Sequence, residues 1–262
     1  WQPAEAGMAW GGPWQSMWMK GQFKVPDDLK DKMLYIQADT GAVEALLMID
    51  GEHKGLFNIE TEEGVRGYHH TRLALIYPIP GTVHDVALEC YAGHPCVGTM
   101  PFDHRDQRAF VPDTYRRYFR HVRICSKDHL TASFVTELRI LLQIAGSTGS
   151  DSFRGAGIYK RLETVFRTVP QQPSDYPAEE IASVLEEARE VMKPLLEMKN
   201  GESAPRVGII GHSHMDTAWL WTVAETRRKC ARTFSNALNL MDEFPDYMFM
   251  QSVPLHLEMM KQ

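Results

Sequence analysis

The stretch RVGIIGHSHMDTAWLW, residues 206–221, sets a short apolar run against two histidines and an aspartate at alternate positions, with two tryptophans behind them. VGIIGH, bounded by proline and glycine, reads as a buried strand. It leads into TVAETRRKCARTFSNALNLMDEFP, 222–245, where Cys230, Phe234, Leu238 and Met241 predict one helical stripe and Pro245 a stop. YMFMQS, 247–252, then reads as a second strand. Strand, loop, helix and strand open an α/β unit with parallel strands.

In an extended backbone residues i, i+2 and i+4 point to one side, so His212, His214 and Asp216 can converge at the C-terminal end of the strand. That end is where open α/β sheets and barrels hold their active sites. Imidazole and carboxylate suit Zn2+ or a similar divalent cation, and a catalytic metal takes three or four protein ligands with one open position. A lone histidine is more often a surface or hydrogen-bonded group than a ligand; three alternating candidates at a strand end reverse that balance. HxHxD occurs in several unrelated metal-dependent hydrolases, so spacing alone predicts a metal site and leaves the reaction open. Trp219 and Trp221 are divided between core packing and an aromatic face for a sugar.

Upstream the chain changes character twice. Up to residue 125, short strand-like segments recur: MWMKGQFKV, KMLYIQA, VEALLMID, RLALIY, VHDVALECYA and FRHVRIC. Turn signals separate them at Pro26-Asp27-Asp28, Asp39-Thr40-Gly41, Asp50-Gly51, Pro78 to Gly81 and Gly93-His94-Pro95. Asp50-Gly51 between two extended segments predicts a hairpin, and the set predicts an antiparallel β-sandwich. Trp10, Trp14 and Trp18 are read as covering a domain joint.

Residues 126–204 read as helical. Leu130, Phe134, Leu138, Leu141 and Ala145 share one face; Ile158, Leu162, Val165 and Val169 share another. A third stripe runs Ile181, Val184, Leu185, Ala188, Val191 and Met192. Ser174 or Asp175 is the expected cap, Pro177 sits in the first turn, Pro194 should kink or split the helix, and Asn200-Gly201 should close it. The expected architecture is therefore multidomain α and β: a sandwich at 1–125, a helical connecting region at 126–204, and at 205–262 the first β-α-β portion of a (β/α) barrel-like domain.

A chain of 262 residues can bury a substantial core, and 44% hydrophobic with 24% charged residues is the make-up of a soluble globular protein. The net charge of −6 lacks the basic footprint of nucleic-acid binding, and apolar runs such as ALLMI, 45–49, are too short to span a bilayer. Cys90, Cys96, Cys125 and Cys230 form no CxxC pair, which favours reduced thiols and a cytoplasmic setting. The chain begins at Trp1 and stops at Gln262 just after a strand-like segment, so a longer parent protein is expected.

The stretch from VGIIGHSHMDTAWLW through ARTFSNALNLMDEFPDYMFMQS resembles the start of the catalytic domain of glycoside hydrolase family 38, the α-mannosidases. WGGPWQSMWMKGQFKVPDDLKDK and ALLMIDGEHKGLFN are similar to the β-sandwich that precedes the barrel in the vacuolar/cytosolic and bacterial branch of that family. The resemblance implies a retaining, zinc-dependent α-mannosidase acting on terminal mannose of oligosaccharides, cytoplasmic or, in a eukaryote, vacuolar. It implies His214 and Asp216 as zinc ligands, removes His212 from the metal shell, and gives Trp219 to the sugar in the reactive subsite. Trp221 keeps a packing role, Arg227, Arg228 and Lys229 a solvated or sheet-end one, and Asp242, Glu243 and Asp246 a surface one. The nucleophile, the general acid and the remaining ligands are expected beyond Gln262, which would leave these residues inactive alone. MQSVPLHLEMMKQ departs from the family's usual SQAQxY-type continuation. A metal-dependent amidohydrolase or deacetylase, and a non-catalytic carbohydrate-binding module, remain as alternatives, and a homo-oligomer stays open.

Overall fold

The computed structural model describes residues 1–58, 71–93, 115–219 and 221–261. Cys96 and the His94-Pro95 part of the expected turn lie outside the described residues. The chain forms two compact units: Trp1–Ser126 together with Gly208–Gln262, and Lys127–Val207.

The first unit is built on antiparallel strands: β1 (Ala9–Trp10), β2 (Ser16–Lys24), β3 (Leu34–Asp39), β4 (Glu44–Ile49), β5 (Glu52–Asn58), β6 (Thr71–Leu75), β7 (Val83–Tyr91), β8 (Arg117–Tyr118) and β9 (His121–Cys125). One sheet runs β2-β7-β4-β5, a second β6-β3-β9, and β1 pairs with β8. Alternation explains the core between them. Ala45, Leu47 and Ile49 of β4 turn inward with Leu34, Ile36 and Ala38 of β3 and Leu88 and Cys90 of β7. Each fully buried Leu or Ile contributes about 1.5–3 kcal/mol relative to exposure. Asp50 and Gly51 take φ of 52° and 84°, the two left-handed positions of a tight hairpin turn joining β4 to β5. Trp10 is core rather than a joint cover: it is buried, and its Nε1 donates to the Thr40 carbonyl at 2.7 Å.

The second unit holds α1 (His129–Thr148), α2 (Phe153–Thr168) and α3 (Ala178–Leu196). The expected stripes meet in its core, with Phe134, Leu141, Ala145, Ile158, Leu162, Val165, Leu185, Ala188 and Met192 buried. Asp128 and Ser152 cap α1 and α2 by accepting from the amides of Thr131 and Gly155. Two local expectations fail. Ser174 and Asp175 lie in a separate 3-10 turn, and Pro177 precedes α3 without a side-chain cap. The close expected at Asn200-Gly201 is missed as well: α3 runs past Pro194 unsplit and stops at Leu196. A proline this close to the C-terminal end disturbs little helix beyond it.

The chain then rejoins the first unit through β10 (Gly211–His212), α4 (Val223–Glu243), β11 (Phe249–Met250) and α5 (Pro254–Met259). β10 and β11 pair in parallel, as the strand-loop-helix-strand reading requires. The barrel-like continuation goes no further than this pair among the described residues. The VGII run is a correction: Val207, Ile209 and Ile210 are exposed and precede the strand. Burial of such a run depends on neighbouring strands and covering helices, and among the described residues β10 pairs only with the short β11.

The stripe assigned to α4 is also corrected. Leu238 is 62% exposed, whereas Glu225, Thr226, Arg232, Ser235 and Asn239 are buried with Cys230 and Ala237. α4 lies against β5, so a largely polar helical face meets the sandwich. Gly55 on β5 permits the close approach. It holds φ of 122°, and a Cβ there would stand 3.2 Å from Arg72 Cδ and 3.5 Å from Asn239 Cβ.

Candidate metal centre

The loop between β10 and α4 carries every predicted site residue. Its geometry follows from one side chain pointing inward. Met215 is buried against Cys230 of α4, so its neighbours His214 and Asp216 both turn outward. His214 Nε2 stands 3.5 Å from Asp216 Oδ1, with the imidazole 86% and the carboxylate 45% exposed. Two ligands at zinc distances of about 2.1 Å around a tetrahedral ion are separated by about 3.4 Å, so this pair fits one cation as it stands. Among the described residues no third His, Cys, Asp or Glu joins them in a metal-binding cluster.

His212 is placed apart from this pair. Its Nε2 lies 3.1 Å from Ser252 Oγ, on the segment that follows β11. Trp219 is 55% exposed and meets Trp221 edge to face, with ring centroids 5.7 Å apart. Trp221 faces the protein: Lys229 Nζ sits 4.8 Å over its ring, and its Nε1 donates to Thr226 Oγ1 at 3.1 Å.

Thr226 organises the rest of the loop. Its hydroxyl also accepts the Ala218 amide at 3.0 Å and donates to the Thr222 carbonyl at 3.3 Å, which uses its full hydrogen-bonding capacity. Ala218 needs that support, because its φ of 60° is left-handed and costs a non-glycine residue about 1–2 kcal/mol. Beneath the loop His256 is wholly buried between Thr217 Oγ1, 2.8 Å from Nε2, and the Gln251 amide nitrogen, 2.6 Å from Nδ1. The amide donates to Nδ1, so the ring proton sits on Nε2 and points to Thr217. Desolvation holds the His256 pKa below its ordinary value.

Sequence reasoning missed the charged group under α4. Arg232, 1% exposed, places Nε 2.7 Å from Glu44 Oε2 of β4 and its terminal nitrogen against the Glu225 carboxylate. Lys229 Nζ reaches Glu44 Oε1 at 2.7 Å, and Arg228 lies 3.3 Å from Glu89 of β7. Lys229 and the half-exposed Arg228 thus take the sheet-end part of the expected role, paired to the sandwich; Arg227 is exposed. Burial works to raise the Glu44 pKa, but Arg232 and then Lys229 outweigh it and hold the carboxyl below its ordinary range. Glu243, also expected at the surface, is partly buried and accepts from the Tyr35 hydroxyl at 3.2 Å. A usable signal did exist in Thr222-x-x-Glu225, which has the form of a capping box. Thr222 Oγ1 does accept the Glu225 amide at 3.2 Å, while the Glu225 carboxylate is drawn to Arg232 and Arg228.

A cleft of about 190 Å³ joins these parts, lined by His214 and Trp221 of the loop, Lys229 and Arg232 of α4, and Glu44 of the sandwich. No helix among the described residues is long and apolar enough to cross a membrane.

Comparison with known proteins aligns with this layout. Residues 204–262 match the description "Glycosyl hydrolases family 38 N-terminal domain", and residues 1–68 match "Alpha-mannosidase, jelly roll domain". Alpha-mannosidase 2C1 of Mus musculus is 28% identical over 265 residues, covering 99% of this chain and 23% of its own length. The Homo sapiens protein of the same name is 27% identical over 263 residues, again covering 99% and 23%. Alpha-mannosidase of Saccharomyces cerevisiae is 50% identical over 56 residues, covering 21% of this chain and 5% of its own. The chain spans about a quarter of the length of the mammalian relatives it matches.

Proposed function

We propose, on the match of residues 204–262 to the family 38 N-terminal domain and of residues 1–68 to the alpha-mannosidase jelly roll domain, that the protein is a glycoside hydrolase of family 38, a zinc-dependent, retaining α-mannosidase that releases terminal α-linked mannose from oligosaccharides. The observation that carries this reading is the His214–Asp216 pair, 3.5 Å apart and outward-facing, three residues ahead of the exposed ring of Trp219.

Each residue has a role in that scheme. His214 presents a neutral imidazole nitrogen and Asp216 a carboxylate oxygen to the cation. Trp219 offers an aromatic face to the apolar side of a mannose ring, beside the point where its hydroxyls would meet the metal. When bound, zinc supplies a Lewis-acidic centre for two neighbouring sugar hydroxyls and helps distort the ring. Retention requires a carboxylate to attack the anomeric carbon and a second carboxylic acid to protonate the departing oxygen, the two lying about 5–5.5 Å apart. We assign both, with the remaining metal ligands, to residues outside these 262, so the chain alone lacks activity. A cytoplasmic or vacuolar setting belongs to the same proposal; the reduced thiols of Cys90, Cys125 and Cys230 suit the first of these.

The test is to incubate the full-length protein with an aryl α-mannoside and follow the anomer released by NMR, before and after chelation. Release of α-mannose that stops on chelation and returns with zinc supports the proposal. Cleavage of an acetamide with the mannoside left intact moves the protein to the amidohydrolases.

A further inference from the structure

We propose that Glu44, a residue of the N-terminal sandwich, is a positioning residue for the loop that carries His214, Asp216 and Trp219. The inference rests on the functional reading above for the meaning of that loop, and on geometry for the connection.

The loop is held at its far end by the first turns of α4. Ala218 and Trp221 both donate to Thr226, and Trp221 lies under Lys229. What holds those turns is charge. Glu44, Glu89 and Glu225 face Arg228, Lys229 and Arg232, three carboxylates against three cations, with Arg232 at 1% exposure in their midst. Glu44 alone receives two of the cations, at 2.7 Å each. It sits on β4, whose other face packs in the sandwich core and which is paired on both sides, by β5 and β7, so its carboxylate is anchored to a central strand. An apolar contact would let α4 slide along the sheet. A largely buried carboxylate shared by Lys229 and Arg232 fixes both the rotation and the height of the helix, because a slide of α4 would draw both cations away from Glu44 at once. Metal and substrate groups must be held to within about 0.5 Å of working geometry, a tolerance that loops meet only when anchored. The sandwich supplies that anchor, and removing the Glu44 charge leaves buried Arg232 with Glu225 on its own helix but without its tie to the sheet.

The experiment compares the full-length protein with Glu44→Gln and Glu44→Asp, using Leu162→Ala in the helical unit as a destabilised control. Hydrogen exchange of the peptide 213–221 is read by mass spectrometry, together with zinc affinity by chelator competition and the visible spectrum after cobalt substitution. In Glu44→Gln, exchange should rise about tenfold above both wild type and Leu162→Ala. Zinc affinity should fall about tenfold or more and the cobalt bands should shift; Glu44→Asp should lie between. Should Glu44→Gln not fold, Lys229→Gln removes one arm and should give the same changes at smaller size. Lowered stability with unchanged loop exchange and an unchanged cobalt spectrum overturns the proposal, leaving Glu44 a purely structural ion pair. If wild type takes up neither metal while loop exchange still rises in Glu44→Gln, the clamp stands and the metal reading falls.

Discussion

Thr217 Oγ1 and His256 Nε2 lie 2.8 Å apart although 39 residues separate them, and the bond ties the site loop to α5. His256 has a donor on its other nitrogen, so a second ring proton would face the Gln251 amide as well as a dry surrounding. Its folded pKa is lowered by burial, so the unfolded chain binds the extra proton more readily. Stability is therefore full above the unfolded value of about 6.5 and is lost as pH falls through it toward the lower folded value. Urea midpoints should drop across that window, and the drop should shrink in His256→Gln.

His214→Ala separates the metal from the fold. The imidazole is 86% exposed, so the unfolding free energy of the chain should change by no more than about 0.5 kcal/mol. Zinc retained by the full-length protein after dialysis should fall from about one equivalent to under about a tenth. Full retention would remove His214 from the metal shell.

The two tryptophans should part company. Trp219 is 55% exposed, so Trp219→Ala should leave the melting temperature in place while raising KM for an aryl mannoside in the full-length protein. Trp221→Ala loses the bond to Thr226 and the stacked Lys229, and should cost about 1–3 kcal/mol in urea unfolding. The reverse pattern would exchange their roles.

Gly55→Ala tests the seat of α4. At φ of 122° any side chain is strained, and Arg72 Cδ waits 3.2 Å from the new Cβ. A destabilisation of about 1–3 kcal/mol follows. A neutral result would mean that α4 rests on the sheet more loosely than its contacts indicate.

Where structure is decided by neighbours in sequence, it was legible. The α1 to α3 stripes meet as read, because each helix shows its own 3.6-residue period and buries it against similar partners. Asp50-Gly51 formed the expected turn because the two left-handed positions are a local demand. Around Met215, alternation set His214 and Asp216 on one side, but His212, which it placed with them, turns to Ser252 instead. Where structure is decided by a distant partner, it was not. α4 buries Arg232 and exposes Leu238, since the surface it meets carries Glu44 and Glu89 about 140–190 positions earlier in the chain. Nothing in VEALLMID distinguishes Glu44 from an ordinary solvent-facing strand residue. Val207, Ile209 and Ile210 read as buried because their composition is that of a central strand, and composition says nothing about which neighbours arrive.

Residues 208–261 fold with residues 1–126, and the helical unit interrupts them in sequence. Covalent continuity and structural unity are thus separate properties here. A protease cutting the exposed stretch near Gly201 would divide the chain in two, yet α4 would still be fastened to its sheet through Glu44, Leu73 and Tyr35. The nicked protein would run as two bands in denaturing gels and as one particle in a sizing column. That makes the connection a natural place to split the polypeptide into two co-expressed pieces that find each other again.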